Sequence, residues 1–279
     1  MNLQELNQIV YKITKSKPVS VKKIPTGLTN DDYLVKTTKG AYVFRIPKKL
    51  NAKLFNYRHE ALVLKAVRTT GYDVPFVYFD ATSGIKVSTY LPGLERFKDS
   101  KLSLKTKIEL VAKGLKEIHQ LKVNQSIEFN PFNKLEKYRS LVNKALFKDE
   151  AEVIALCLKQ YQTTKLVLCH NDLVDGNLLF KDKELYIIDY EYAGYNHPLF
   201  DLASFLSENN IEDVRYIKQL LRTYFNTKKI DAKFTQLMQW YRFNDLLWSY
   251  WAKMMDKQDP KPIFKKIYQL KAKRYLKQK

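Results

Sequence analysis

Asp172 and Asn177 stand five residues apart in the segment Cys169-His170-Asn171-Asp172-Leu173-Val174-Asp175-Gly176-Asn177, and Asp189 closes the apolar run Leu185-Tyr186-Ile187-Ile188 further on. A carboxylate, an amide oxygen and a second carboxylate at this spacing suit phosphoryl transfer, a reaction governed by positioning and charge neutralisation. Asp172 is suited to accept or orient the proton of an attacking hydroxyl. The amide oxygen of Asn177 and the carboxylate of Asp189 are hard ligands of the kind magnesium takes. Gly176 is expected to let the loop turn tightly before Asn177, and Leu178-Leu179-Phe180 to resume as a buried strand that fixes the ligand to a rigid element. The competing reading makes Asn171-Asp172 and Asp175-Gly176 the turn residues of a plain hairpin, with Asp189 an exposed strand end.

Such groups need a frame. Leu3, Leu6, Ile9, Val10 and Ile13 repeat at helical spacing up to Lys17-Pro18, which predicts an amphipathic N-terminal helix. Val19-Ser20-Val21, Tyr33 to Thr37 and Ala41 to Ile46 read as strands, the last two joined by the turn Thr38-Lys39-Gly40. A helix through Tyr57, Ala61, Leu62, Leu64, Lys65 and Val67 follows, then strands at Phe76 to Phe79 and Ile85 to Thr89. Tyr90-Leu91-Pro92-Gly93 breaks the last strand and reads as a hinge, giving a lobe of residues 1–91 and a mainly helical lobe of residues 92–279. In the first lobe, Pro25-Thr26-Gly27-Leu28-Thr29-Asn30 lies between strands, where small residues and backbone N–H groups can cover an anionic phosphate. Arg45 on the third strand can contact phosphate and pair with Glu60 of the next helix, because its planar fork binds both groups bidentately. The pair is also compatible with an ordinary surface ion pair. Asp31 and Asp32, directly after the loop, must point away from any bound phosphate.

The composition, 45% hydrophobic and 28% charged, is that of a soluble globular chain. No apolar run reaches membrane-spanning length and no signal-peptide pattern opens the sequence, so a cytoplasmic location is expected. Cys157 and Cys169 are too few for a disulfide framework or a zinc site. The net charge of +20 raises nucleic acid as a partner, yet 40 of the 49 basic residues are Lys, scattered rather than gathered with stacking aromatics. No obligate nucleic-acid partner is expected. The densest stretch, residues 253–279, holds ten basic residues against Asp256 and Asp259. It reads either as a solvated helix face or as a weak contact for acidic lipid or RNA.

His170-Asn171-Asp172, Gly176-Asn177 and Ile188-Asp189-Tyr190-Glu191-Tyr192 together resemble the choline/ethanolamine kinase family, a branch of the aminoglycoside phosphotransferase superfamily. Gly27 to Asn30, Arg45 in place of Lys, Glu60, and Tyr195-Asn196-His197-Pro198-Leu199-Phe200-Asp201 extend the resemblance over most of the chain. It implies an α+β, two-lobed protein-kinase-like fold: a small antiparallel sheet lobe with one helix, and a larger, mainly helical lobe. It implies ATP and Mg2+ as cofactors, with Gly27, Leu28, Thr29, Asn30, Arg45 and Glu60 on the nucleotide and Thr89, Tyr90 and Leu91 as the adenine-contacting hinge. It further implies Asp172 as the base, Asn177 and Asp189 as the metal ligands, and Asp201 as a support beneath the catalytic loop.

The choline branch is suggested by Asp189-Tyr190-Glu191-Tyr192 and by Trp248-Ser249-Tyr250-Trp251, which match family positions contributing to the acceptor pocket. A quaternary ammonium donates no hydrogen bond and is best held by aromatic faces with carboxylates nearby. Trp248 and Trp251 project from one helix face, and Tyr192, Tyr195 and Tyr268 could complete a cage with Glu191 and Glu208 adding negative potential. The same aromatics are compatible with a packed core. His119 reads as a satisfied helix histidine and His170 as a buttress of the loop. The resulting expectation is an ATP-dependent kinase acting on choline as a monomer or homodimer. Ethanolamine, thiamine or an aminoglycoside are alternative acceptors, and a catalytically silent RNA- or membrane-binding module is the alternative of another class.

Overall fold

The alternation of side chains along each strand of the first part of the chain decides what faces what. In the computed structural model, which describes residues 3–25, 29–48, 55–123 and 127–278, helix α1 (Leu3–Thr14) precedes strands β1 (Pro18–Ile24), β2 (Asn30–Thr37) and β3 (Gly40–Pro47). Helix α2 (Tyr57–Val67) and strands β4 (Phe76–Phe79), β5 (Lys86–Thr89) and β6 (Glu95–Arg96) follow. The strands β1-β2-β3-β5-β4 form an antiparallel sheet. Leu6 and Val10 of α1 pack against Val35, Phe44, Ile46 and Val87, all buried. Arg45, between Phe44 and Ile46, therefore lies on the opposite face of the sheet, where α2 presents Glu60. Its register partner Lys86 is buried as well, paired with Asp73 at 2.5 Å. The N-terminus of α2 is capped by Asn56, whose side chain accepts from the N–H groups of Arg58 and His59.

The chain then runs through α3 (Leu104–Ile118), α4 (Pro131–Val142), α5 (Glu150–Thr163), β7 (Val167–Cys169), β8 (Leu178–Lys181), β9 (Glu184–Ile187) and β10 (Gly194–Asn196). It closes with α6 (Pro198–Glu208), α7 (Val214–Phe225), α8 (Asp231–Gln258) and α9 (Pro262–Lys277). Two compact units result: Met1–Lys101 with Gly176–Tyr192, and Leu102–Asp175 with Ala193–Lys279. They differ from lobes divided at Leu91, because the β8–β9 hairpin packs with the first unit. β6 pairs with β8 in the register Glu95↔Phe180 and Arg96↔Leu179, and the Ile187 N–H donates to the Tyr72 carbonyl at 2.6 Å. The first unit also carries two helices, α1 and α2, where the resemblance implied one.

In the second unit α8 is the central post, with Trp240, Phe243, Leu246, Leu247 and Tyr250 buried where α4, α5, α6, α7 and α9 pack around it. β7 and β10 pair antiparallel, Cys169 opposite Gly194. A Cβ on Gly194 would press into the backbone of residues 127–129, whose Phe129 N–H donates to the Tyr195 carbonyl at 3.0 Å. α9, the densest part of the basic tail, is not a uniformly solvated face. Lys271 and Arg274 are buried, Lys271 paired with Glu208 at 2.5 Å and Arg274 with Asp245. Both cysteines are free and buried, and no helix among the described residues is long and apolar enough to cross a membrane.

Candidate active site

In the first unit, Asn177 immediately precedes β8 and Asp189 lies two residues beyond β9. Pairing of Leu178 with Ile187 brings them to the same end of the hairpin, and the Ile188 N–H donates to the Asn177 carbonyl at 3.0 Å. Asp189 sits at φ 69°, a left-handed conformation that a non-glycine residue adopts at a cost of order 1–3 kcal/mol. Its placement is over-determined. Asp189 Oδ1 accepts from Arg45 Nη1 at 2.7 Å, and the same guanidinium forks onto Glu60 at 2.7 and 2.8 Å. A fourth bond runs from Arg45 Nη2 to the Gly84 carbonyl at 3.1 Å. Gly84 itself has φ 73°, and a Cβ there would run into the Tyr57 ring. Burial alone would lower the Arg45 pKa, but the charges of Glu60 and Asp189 outweigh it, so the group is held well above its ordinary value.

The amide oxygen of Asn177 and the Asp189 carboxylate, whose Oδ2 makes no hydrogen bond among the described residues, are a hard-oxygen donor set that fits Mg2+. The expected use of Gly176 as a sharp turn is not what the backbone shows. Asp175–Asn177 is a single 3₁₀ turn, Gly176 is not left-handed, and a Cβ there would meet nothing. The left-handed residues of this stretch are instead Asn171 and Asp189, both at φ 69°, with Asp182 and Lys183 in the turn between β8 and β9.

Glu191 stands in the turn after Asp189. Its Oε1 accepts from Thr29 Oγ1 at 2.8 Å and its Oε2 from Asn30 Nδ2 at 3.1 Å. Burial and the neighbouring charge of Asp189 push the Glu191 pKa well up, against the opposing pull of Arg45 and of these two donors. Gly27 and Leu28 lie outside the described residues. Asp31 turns to Lys23, 2.7 Å away. Of the predicted hinge residues, Thr89 and Tyr90 give their N–H groups to the carbonyls of Pro75 and Ala41, at 2.8 and 2.9 Å. Leu91 alone of the three keeps its N–H outside the backbone bonds of the described residues.

In the second unit the Asp172 loop is fixed from below. Asp201 of α6 accepts the His170 and Asn171 N–H groups, both at 2.7 Å, one on each oxygen. His170 Nδ1 accepts the Asp172 N–H at 3.2 Å, Ser204 Oγ accepts that of Leu173 at 3.3 Å, and Asn209 Nδ2 donates to the Leu173 carbonyl at 2.9 Å. Asn171 is further tied to Asn196, whose amide donates to its Oδ1 at 2.8 Å. A loop whose backbone is bound in this way presents the Asp172 side chain in one orientation. Asp201 and His170 thus occupy the supporting places expected of them, and His119 is bonded to Asp201 at 3.0 Å and Tyr224 at 2.6 Å. Ser204 and Asn209 were not singled out in the sequence; only their spacing on one face of the helix begun by Asp201's motif could have pointed to them.

The predicted acceptor residues are distributed unevenly. Trp248 and Trp251 meet edge to face at 5.8 Å, and Trp251 also meets Phe264 at 5.6 Å. Tyr195 points its hydroxyl at the backbone of Val123. Tyr268 carries the Lys253 ammonium 4.0 Å from its ring centroid, and Glu208 is neutralised by Lys271. Glu191 and Tyr192 belong to the first unit, where Tyr192 packs edge-on against Phe55 at 4.9 Å.

A divided chain with Asn177 and Asp189 at one end of a hairpin, a buried Arg–Glu pair and a pinned aspartate loop is an organisation suited to phosphoryl transfer. A profile of the phosphotransferase enzyme family, APH, matches residues 20–237, and the chain belongs to that family as a small-molecule kinase. It is 30% identical over 244 residues to Protein LicA of Haemophilus influenzae, across 82% of this chain and 72% of that protein. The crystal structure of choline kinase LicA from Streptococcus pneumoniae superposes with a TM-score of 0.80 at 26% identity, covering 99% of this chain and 97% of that one. LicA in complex with AMP gives 0.76 at the same identity, over 99% and 98% of the two chains.

Proposed function

We propose that the protein is a cytoplasmic enzyme that transfers the γ-phosphoryl group of ATP to the hydroxyl of choline, giving phosphocholine. The observation that carries this reading is the Arg45–Glu60–Asp189 cluster. It holds a strained carboxylate beside Asn177 while leaving one carboxylate oxygen uncommitted. Asn177 and Asp189 would hold Mg2+, which supplies charge neutralisation on the phosphates. Arg45 keeps a full positive charge at the nucleotide, the N–H of Leu91 is available to an adenine edge, and Asp172 takes the proton of the acceptor hydroxyl.

For the acceptor, support comes from the likeness to choline kinase LicA and from the Trp248–Trp251 pair, whose faces suit a quaternary ammonium. The alternative of a silent RNA- or membrane-binding module is disfavoured by the intact machinery and by the internal pairing of Lys271 and Arg274. ADP release with magnesium and choline, ethanolamine, thiamine or an aminoglycoside as separate acceptors tests the proposal. Choline is expected to give a kcat/KM at least about tenfold above the others, equivalent to roughly 1.4 kcal/mol of discrimination. Asp172→Ala should lose turnover by about 10²–10⁴-fold while still binding nucleotide. Preference for another acceptor would displace choline, and no turnover on any of them would remove the kinase reading.

A further inference from the structure

We infer that Glu191 is a positioning residue, a clamp that fixes the start of β2 to the turn bearing Asp189, and that its carboxylate oxygens serve the nucleotide end of the site rather than the acceptor's ammonium. The inference rests on the kinase reading above and assigns Glu191 a task that the resemblance did not. Each oxygen of its carboxylate takes one donor, Thr29 Oγ1 on Oε1 at 2.8 Å and Asn30 Nδ2 on Oε2 at 3.1 Å. Asn30 is buried, so releasing its amide from Glu191 would leave a desolvated donor.

The other side of this segment is also held. The Thr29 carbonyl accepts the Lys48 N–H at 3.1 Å, and Asn30 pairs with Pro47 across the sheet. β3 and Glu191 therefore grip residues 29–30 from two directions. Glu191 is two residues from Asp189 and shares its turn, against which α2 packs. Asp189 is in turn held by the Arg45 guanidinium at 2.7 Å. The strand start that follows the phosphate-covering segment and the carboxylate that would hold the metal consequently move as one body. Both oxygens of this carboxylate are engaged within the first unit rather than offered to an ammonium group.

The test is a mutant cycle read by binding of a fluorescent ATP analogue, with EDTA and with magnesium, together with separate KM values for ATP and for choline. Glu191→Ala and the double variant Thr29→Ala/Asn30→Ala are each expected to weaken nucleotide binding about tenfold, from loss of the clamp's hydrogen bonds. Combined, the three substitutions should weaken it no further than either set alone, because both sets break the same clamp. Glu191→Gln should recover most of the affinity, since its amide can still accept from Thr29 and pair with a flipped Asn30. The choline KM should move less than about twofold throughout, a split that general loosening of the fold would not produce. Additive losses, or a tenfold rise in choline KM for Glu191→Gln with Thr29→Ala/Asn30→Ala silent, would overturn the clamp and return Glu191 to the acceptor. Wild-type protein that bound no nucleotide would instead overturn the kinase reading on which it rests.

Discussion

Each unit of this protein buries an ionic cluster, and the two are built to different standards. In the second unit Asp245 accepts from Arg274 and from Ser207 Oγ at 2.8 Å, while Lys271 donates to Ser207 Oγ at 2.7 Å and to Glu208 at 2.5 Å. Asn210 takes the remaining arginine nitrogen at 2.9 Å. The cluster is closed and joins α6, α8 and α9. In the first unit Arg45, Glu60 and Asp189 are bound just as tightly, yet the Arg45 Nε–H is buried with no partner among the described residues and Asp189 keeps an oxygen free at a strained φ of 69°. A buried polar group left open is expensive unless something else binds it, so open valence separates the first cluster from the one that holds helices together.

The sharpest way to break this contrast is a paired substitution. Asp189→Ala is expected to lower kcat by at least about 10³-fold, roughly 4 kcal/mol of transition-state stabilisation, because it removes the carboxylate proposed to hold the metal. Its unfolding free energy should change by no more than about 1–2 kcal/mol, since Arg45 keeps its bidentate partner Glu60 while alanine inherits the left-handed φ. Asp245→Ala should do the reverse, losing about 3–5 kcal/mol of stability by stranding Arg274 in the interior, with kcat per folded molecule near wild type. Urea unfolding beside steady-state kinetics reads both; a destabilised Asp189→Ala enzyme with normal turnover would erase the distinction.

His197 sharpens it from a neutral group. Its Nδ1 accepts the Leu199 N–H as the cap of α6, its Nε2 meets Thr164 Oγ1 at 3.1 Å, and its ring stacks on Trp240. Burial, with the charge of Lys233, lowers its pKa from 6.5 to about 4. The unfolded chain therefore binds the extra proton first. The stabilisation is complete above pH 6.5 and is lost as the pH falls through about 4, on the order of 3 kcal/mol in all. Melting temperature against pH should show that decline, and His197→Gln should flatten it. The smallest effect belongs to Glu208→Gln. With its charge already cancelled by Lys271, stability should fall by about 1 kcal/mol and choline KM by no more than a factor of about two in either direction. A tenfold rise in KM would make this second cluster part of the acceptor site.

What could be read from the sequence was local. Asp172, Asn177 and Asp189 are marked by spacing within a single loop and hairpin, and Arg45 and Glu60 by their places on a strand and the following helix. α1, α2 and the first five strands show because their apolar residues keep a period. β6 and β10, two and three residues long, have no room to show one. Partnerships across long stretches of chain were invisible for another reason. Glu208 and Lys271, or Glu191 and Asn30, look like any surface charge and polar residue until folding brings them together, so Glu208 could be read as free negative potential. Gly176 misled because glycine signals conformational freedom without showing whether the backbone uses it.

The first unit is sewn from two separate stretches of chain, and that matters for how the molecule is made. β6 has no strand beside it until β8 exists, and everything from Leu102 to Asp175 must leave the ribosome in between. At roughly 5–20 residues per second, the N-terminal sheet waits several seconds to some twenty seconds for Asn177 and Asp189 to arrive. A nascent chain stalled before residue 176 would hold the sheet and the Arg45–Glu60 pair but neither Asn177 nor Asp189, so the hairpin that completes the first unit is acquired late in synthesis.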